Sequence, residues 1–157
     1  MPAREFVVGV ISDTHGLLRP EALDVLRGSD MIIHAGDVGK PEVIERLGEI
    51  APLHVVCGNI DKGNWAAALP LTELVDVGDH RFFVLHDIAQ LDVDPVAAGF
   101  AAVVFGHSHR PSIETRNGVL FLNPGSAGPR RFKLPITVAR VRASGRHIRA
   151  DIVDLGT

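Results

Sequence analysis

The chain has 157 residues, of which 46% are hydrophobic, and its formal net charge is −3 with histidine neutral. At about 150 residues per domain, this length predicts one domain over residues 1–157, and the composition excludes both a disordered chain and nucleic-acid binding by bulk positive charge. A single cysteine, Cys57, excludes an intramolecular disulfide framework, and no apolar run is long enough to span a membrane, so we expect a cytoplasmic protein.

Short apolar runs alternate with helical patterns in the first half of the chain. Strands are predicted at 6–11, 31–33 and 53–57, because each run is rich in Val and Ile and is bounded by turn-forming residues. Helices are predicted at 20–27 and 41–50, since each segment begins with a proline followed by a glutamate. Strand–helix–strand alternation indicates parallel pairing with right-handed crossovers.

Hairpins are predicted in the second half of the chain, where runs 82–85 and 101–105 are also buried strands. Turn-forming pairs separate neighbouring runs, and Asn-Gly is the strongest of these hairpin signals. The pairs are Gly78-Asp79 between 71–77 and 81–85, Asn117-Gly118 between 112–116 and 119–122, and Ser144-Gly145 between 136–142 and 147–153. We therefore predict an α/β sandwich in which a second sheet packs on the first and helices lie outside.

Each of the five buried runs is followed directly by a side chain that can bind a metal. In a parallel α/β sheet, such side chains meet at the carboxyl ends of the strands. Residues at i and i+2 in extended chain also point to the same side, as do Asp13 with His15 and His107 with His109. Glycines at 36, 58 and 106 let the chain bend as it leaves the strand. The candidate ligands are Asp13, His15, Asp37, Asn59, His86, His107 and His109.

Seven candidate ligands are too many for one ion, since a catalytic zinc usually has three protein ligands. The number fits two divalent ions about 3.5–4 Å apart that share a carboxylate and hold a bridging hydroxide for phosphoryl displacement. The mixed nitrogen and oxygen donors favour a transition metal, with Mn expected first and Ni, Fe, Co or Zn as alternatives. Because only two of the ligands are anionic, the loaded site would be positive and would attract a phosphate ester.

The sequence resembles the calcineurin-like metallophosphoesterase superfamily, and more narrowly its small single-domain prokaryotic phosphodiesterases. The matching motifs are SDTHG (12–16), HAGDV (34–38), CGNID (57–61), GHSH (106–109) and NPGS (123–126). The resemblance implies a four-layer α/β/β/α sandwich with two mixed β-sheets flanked by helices and a dinuclear metal site. By that pattern one ion takes Asp13, His15, Asp37 and His109, and the other takes Asp37, Asn59, His86 and His107, with Asp37 bridging.

Two positions depart from the family pattern. Ile60 stands where many relatives have a histidine that protonates the leaving group or contacts the phosphate, which puts an efficient general acid in doubt. Asp87 follows His86, where relatives usually have a glycine, and the effect of this carboxylate on the second metal position is left open.

Five further residues are candidates for contacts around the metals or the substrate. His34 is expected to form hydrogen bonds beside the site rather than to bind metal. Asp61 either orients a ligand or caps a turn, while Asn123 and Ser126 either approach the metals or form a tight turn. Arg130 and its basic neighbour either hold phosphate oxygens or form a solvated pair.

We expect a phosphoesterase, most specifically a phosphodiesterase that hydrolyses a small phosphate ester by attack of the metal-bridging hydroxide, with Asn59 and His107 stabilising the transition state. One alternative is a non-catalytic scaffold, like the retromer subunit that resembles these enzymes, although such proteins typically lose ligands that are kept here. Another is a nuclease or nucleotidase acting on nucleotides or short oligonucleotides, which the basic segment 107–149 leaves open. We expect no membrane partner. We also expect the protein to associate with itself, as a homodimer or a homotetramer.

Overall fold

The computed structural model describes residues 4–157, which form two five-stranded sheets with few helices. The strands are β1 Glu5–Ile11, β2 Met31–His34, β3 Leu53–Val55, β4 Thr72–Val77, β5 His80–Leu85, β6 Ala102–Val104, β7 Ser112–Arg116, β8 Val119–Asn123, β9 Thr137–Ser144 and β10 His147–Asp154. The helices are α1 Pro20–Leu26, α2 Pro41–Gly48 and α3 Asn64–Ala67, with a 3₁₀ helix at Ile88–Gln90.

Both sheets mix parallel and antiparallel strands. The first has the order β10-β9-β1-β2-β3, in which β1, β2 and β3 are parallel. The second has the order β4-β5-β6-β8-β7, in which β5, β6 and β8 are parallel. The predicted α/β fold with two mixed sheets is therefore confirmed. Since parallel strands end at the same edge of a sheet, this topology brings the segments after β1, β2, β5 and β6 together.

The largest hydrophobic core lies between the two sheets and joins Val10 and Ile33 of the first to Phe82 and Leu122 of the second. A second core packs α1 and α2 against the outer face of the first sheet. Alternate residues of β1 divide between these cores, because successive side chains of a strand point to opposite faces. Over the outer face of the second sheet, the described residues supply only the 3₁₀ helix and irregular chain.

Several predicted elements differ in their bounds from the structure. The runs 53–57 and 101–105 are strands only over Leu53–Val55 and Ala102–Val104, because their last residues already leave the sheet toward the site. Ser144 still pairs with Glu5 and faces His147, so the last hairpin turns at 145–146 instead of 144–145. No helix in residues 4–157 is long and apolar enough to cross a membrane.

Candidate metal centre

The candidate ligands lie on loops that leave the carboxyl ends of five parallel strands, β1, β2, β3, β5 and β6. Their backbone is left-handed at five positions, where φ lies between +47° and +73°. Asp13 with His15, and His107 with His109, are therefore not held in the extended conformation that the spacing predicted. Non-glycine residues in this region cost about 1–3 kcal/mol each and cluster at functional sites. The five positions are Asp13, His15, Asp37, His107 and His109.

Asp13 divides its two carboxylate oxygens between the protein and the candidate metal centre. Oδ2 accepts hydrogen bonds from Ser12 Oγ (2.7 Å) and the His107 amide (3.1 Å). Oδ1 is buried without a hydrogen-bond partner among the described residues. It lies 3.5 Å from His109 Nε2, and 3.9 Å from Nε2 of both His15 and His86. One oxygen of this carboxylate is thus fixed while the other faces three imidazoles.

Asp37 repeats this arrangement from the neighbouring strand. Its Oδ1 accepts a hydrogen bond from the Ile60 amide (3.1 Å), and its Oδ2 lies 3.3 Å from His86 Nε2 and 3.6 Å from His15 Nε2. Ile60 therefore contributes its backbone to the centre, whereas its side chain is exposed. Asp37 Oδ2 stands between a histidine from the first sheet and a histidine from the second.

The histidines present nitrogen lone pairs to the same point. His86 Nδ1 lies 2.8 Å from the Ala35 carbonyl, to which it donates, and this bond leaves Nε2 as the unprotonated nitrogen facing Asp13 and Asp37. Nε2 of His15 and of His86 are buried without partners among the described residues. Two groups have the spacing of metal ligands, Asp13–His15–His109 and Asp13–Asp37–His86. These unpartnered oxygen and nitrogen atoms fit one or two divalent ions.

Asn59 and His107 lie at the exposed side of the centre. The ring of His107 stands 5.2 Å from that of His86, and both line a cleft together with Asn59. Asp87 belongs to neither of the two groups that have the spacing of metal ligands. Its Oδ1 accepts the Ala89 amide at the start of the 3₁₀ helix (3.0 Å), and its Oδ2 lies 3.9 Å from His107 Nε2.

Burial and neighbouring charges shift the pKa values of three groups at the centre. Burial raises the pKa of Asp13, although Ser12 and the nearby histidines oppose this effect. Burial also acts to raise the pKa of Asp37, but the close approach and charge of His86 outweigh it, so this pKa is lowered. Burial acts to lower the pKa of His86, yet the adjacent Asp37 carboxylate and the Ala35 carbonyl raise it overall. A divalent cation bound at His86 Nε2 would compete with a proton for that atom.

His34 is fully buried behind the centre in an unbroken chain of hydrogen bonds. Its Nδ1 accepts the Gly36 amide (3.1 Å), so Nε2 carries the proton and donates to Thr14 Oγ1 (3.0 Å). Thr14 Oγ1 donates in turn to the Val38 carbonyl (2.8 Å). The chain ties the loop after β1 to the loop after β2, and it requires His34 to be neutral.

The neutral state of His34 predicts acid sensitivity. Burial is the main cause that lowers the pKa of His34 to about 3, from 6.5 in the unfolded chain. Between these values only the unfolded chain binds the proton, so this contribution to stability is present above pH 6.5 and falls as the pH drops. We expect ~2 kcal/mol less stability at pH 5 than at pH 7 from this residue. Urea unfolding should show a smaller difference in His34→Gln, and an equal difference would contradict the assignment.

Asp61 holds two of the loops together. Its carboxylate accepts hydrogen bonds from the amides of Gly58 (2.8 Å), Gly39 (3.0 Å) and Val38 (3.2 Å). The first lies beside Asn59 and the other two follow Asp37. Asp61 therefore fixes the loops that carry these candidate ligands, and its hydrogen bonds go to backbone amides.

The NPGS segment supports the loops after β6 and β1. Asn123 Nδ2 donates to the Gly106 carbonyl (3.1 Å) and Ser108 Oγ (3.2 Å), and Ser126 Oγ donates to the Asp13 carbonyl (3.1 Å). Arg130 instead contacts the carbonyl of Thr157, away from the ligand atoms. The charge of its neighbour Arg131 helps to lower the pKa of His109, after the larger effect of burial.

Two glycines are required by close approach to the carboxylates. A Cβ on Gly106 would lie 2.6 Å from Asp13 Oδ2 and would overlap Ser12 Oγ. A Cβ on Gly58 would overlap both the amide nitrogen and Oδ1 of Asp37. Neither Gly58 nor Gly106 has a positive φ, so glycine is not required there for the sharp bend that the sequence predicted. It is required because a side chain would overlap the neighbouring carboxylate. Among the three predicted glycines, left-handed backbone occurs at Gly36 (φ +101°).

Sequence reasoning missed several contributors to the site. Ser12 and Thr14 lie inside the SDTHG motif, but only the structure shows their contacts. Ser12 donates a hydrogen bond to the Asp13 carboxylate, and Thr14 accepts one from His34. Leu71 and Asp92 line the cleft from segments that carry no motif. A hydroxyl directly before a buried aspartate is the one sequence signal that could have identified Ser12.

Comparison with known proteins agrees with this geometry. Residues 6–146 match the calcineurin-like phosphoesterase superfamily domain. The chain belongs to the calcineurin-like phosphoesterase superfamily. The resemblance of the five motifs is confirmed, and with it the prediction of a metal-dependent phosphoesterase at the level of the family.

The chain is also similar to individual proteins and to a solved structure. A probable metallophosphoesterase of Methanothermobacter thermautotrophicus is 32% identical over 162 residues, covering 96% of this chain and 93% of that protein. A phosphodiesterase of Methanocaldococcus jannaschii is 26% identical over 136 residues, covering 75% and 82%. The structure of Vacuolar Protein Sorting 29 from Cryptosporidium parvum shares the fold with a TM-score of 0.83 and 21% identity, covering 96% of this chain and 91% of that one.

Proposed function

We propose that this protein is a phosphodiesterase that uses two divalent metal ions, manganese first among them, to hydrolyse a small phosphate ester. The observation that carries the proposal is the convergence of three buried atoms without hydrogen-bond partners among residues 4–157: Asp13 Oδ1, His15 Nε2 and His86 Nε2. Leaving such atoms unpaired costs about 1–3 kcal/mol each, more for a charged carboxylate. A ligand that satisfies all of them at once accounts for their arrangement.

Some of the candidate ligands would only hold metal, and others would also contact the phosphate. When bound, two divalent ions supply a hydroxide nucleophile and neutralise the charge of the phosphoryl group. Asp13, His15 and His109 would hold one ion and Asp37 would reach both. His86 would hold the second ion with Asn59 and His107. Because Asn59 and His107 are the exposed members of this set, they are also placed to hydrogen-bond the phosphate oxygens.

The other two functions receive less support from the site. Similarity to Vacuolar Protein Sorting 29 rests on 21% identity and concerns the fold alone. A scaffold would not need five residues held in left-handed backbone around unpartnered ligand atoms. A nuclease needs cations along its substrate path, but among residues 4–157 no Lys or Arg lines the cleft beside His107.

Metal dependence of diester hydrolysis tests the proposal. Metal-replete protein should cleave bis-p-nitrophenyl phosphate, and removal of metal with a chelator should lower the rate at least ~100-fold, since metal catalysis supplies several kcal/mol. Re-addition of Mn, Ni, Co or Zn should restore the rate, and elemental analysis should find two ions per chain. Absence of both bound transition metal and metal-stimulated turnover would overturn the proposal.

A further inference from the structure

The backbone of His107 is held firmly, whereas its ring has few contacts. The amide donates to Asp13 Oδ2 (3.1 Å), and Asn123 Nδ2 holds the preceding residue through the Gly106 carbonyl (3.1 Å). The side chain is 47% exposed, and its ring stands edge-on to that of His86 at 5.2 Å. These contacts fix the position of His107 but leave the direction of its ring open.

Asp87 lies beside this ring and is itself held in place. Its Oδ1 accepts the Ala89 amide (3.0 Å), and its backbone carbonyl accepts the Gln90 amide (2.9 Å), so the residue is tied twice to the 3₁₀ helix. The remaining oxygen, Oδ2, lies 3.9 Å from His107 Nε2. Within the described chain, no other carboxylate comes within 4 Å of the His107 ring nitrogens. Asp87 is therefore the charged group that faces this ring.

His107 differs from the other candidate histidine ligands in what its Nε2 faces. The other three place Nε2 within 4 Å of Asp13 Oδ1 or Asp37 Oδ2. His107 Nε2 lies beside Asp87 instead. A carboxylate next to a neutral imidazole favours the tautomer in which the nearer nitrogen carries the proton. This leaves Nδ1 as the His107 nitrogen with a free lone pair.

His86 shows the same division of roles with the two nitrogens exchanged. Its Nδ1 donates to the Ala35 carbonyl (2.8 Å), and this bond leaves Nε2 for an ion. Histidine ligands are commonly held in this way, by a carboxylate or a carbonyl that accepts the N–H of the nitrogen that does not bind metal. Asp87 stands in the corresponding place for His107.

We propose that Asp87 is a positioning residue that directs His107, so that Nδ1 binds the second ion while the N–H of Nε2 faces the Asp87 carboxylate. The inference rests on the proposed function, because it requires two ions. It gives a role to the carboxylate whose effect the sequence left open. At 3.9 Å, Asp87 orients the ring by charge without a direct hydrogen bond, so the N–H stays available to a phosphate oxygen.

Zinc binding by Asp87→Asn tests the proposal. Asparagine keeps an oxygen that can accept the Ala89 amide, but it removes the negative charge that faces His107. Titration of metal-free protein, in competition with a chromophoric chelator, should show one ion bound about 10-fold more weakly than in wild type and the other changed less than about 2-fold. Loss of such a partner lowers metal affinity roughly 10- to 100-fold, and the partial exposure of this pair favours the lower value.

NMR of the histidine ring nitrogens during the same titration identifies the atoms that bind. The signals of His107 and His109 show which step fills which position. We expect zinc at His107 Nδ1 and a proton on Nε2, and we expect these ring signals to change in Asp87→Asn. Asp94→Asn is the matched control, because Asp94 Oδ1 also accepts an amide two residues later, that of Val96 (3.0 Å). This variant should bind both ions as wild type does.

Four results would each overturn the inference. They are zinc bound through His107 Nε2, unchanged affinity for the second ion in Asp87→Asn, an equal loss at both positions, and unchanged His107 ring signals in that variant. The last would mean that Asp87 acts on the ion directly. If wild type bound only one zinc ion, the two-ion proposal would fail as well. Two ions in wild type with unchanged affinities in Asp87→Asn would refute the role of Asp87 alone.

Discussion

Asp37→Asn is expected to lower the rate of bis-p-nitrophenyl phosphate hydrolysis about 1,000-fold. Asp37 Oδ2 lies within 3.6 Å of His15 Nε2 and 3.3 Å of His86 Nε2, which belong to the two proposed metal positions. An amide in its place removes the negative charge that would balance both ions. Since each ion contributes several kcal/mol to catalysis, weakening both is expected to cost ~4 kcal/mol in the barrier.

A histidine outside the centre provides the matched control. His54 on β3 is half-buried and pairs with Glu73 Oε1 at 3.2 Å. His54→Ala should change the rate less than 2-fold, because His54 lies outside the centre and partly exposed ion pairs contribute little to stability. Equal losses in the two variants would contradict a role for Asp37 in binding metal.

Metal content distinguishes the two carboxylates. Asp13 Oδ1 also lies within 3.9 Å of three imidazoles, so distance alone allows either aspartate to bridge. We expect Asp37→Asn to retain less than one ion per chain and Asp13→Asn to retain about one. Elemental analysis of the purified variants gives both values. The reverse result would make Asp13 the bridging residue.

The convergence of the candidate ligands was predictable because it depends on topology. Asp13, Asp37 and His86 each follow a buried run, and parallel strands end at a common edge. The structure brings these three together with His15 and His109. The left-handed backbone at these positions could not be predicted, since hydrophobic periodicity describes strands and helices and carries no information on φ in the loops between them.

Contacts between distant loops were the least predictable part of the site. Asp61 allowed two interpretations from sequence, because its hydrogen bonds reach amides 22 and 23 residues earlier in the chain. The sequence does not distinguish Arg130 from Arg131. In the structure, Arg130 contacts the Thr157 carbonyl, whereas the charge of Arg131 acts on His109. The cleft is assembled from β4, β5, the 3₁₀ helix and the loops after β3, β5 and β6, and residues such as Leu71 match no motif.

Gly106→Ala is expected to destabilise the protein by about 1–3 kcal/mol and to lower activity at least 100-fold. The added methyl group would lie 2.6 Å from Asp13 Oδ2 and overlap Ser12 Oγ in a region with no free space. Relief of that overlap must move the Asp13 carboxylate or the loop that carries His107. Because the His107 amide also donates to Asp13 Oδ2, both proposed metal positions would be displaced together.

Gly48→Ala makes the same chemical change where nothing opposes it. Gly48 is the last residue of α2, and a Cβ there would meet no atom within 4 Å. Alanine in place of a helical glycine should raise stability by about 0.5–1 kcal/mol and leave activity unchanged. Urea denaturation and diester hydrolysis of both variants measure the contrast. If Gly106→Ala kept wild-type activity and stability, glycine at 106 would not be required by the close approach to Asp13. The rigid placement of this carboxylate, on which the metal centre depends, would then need another cause.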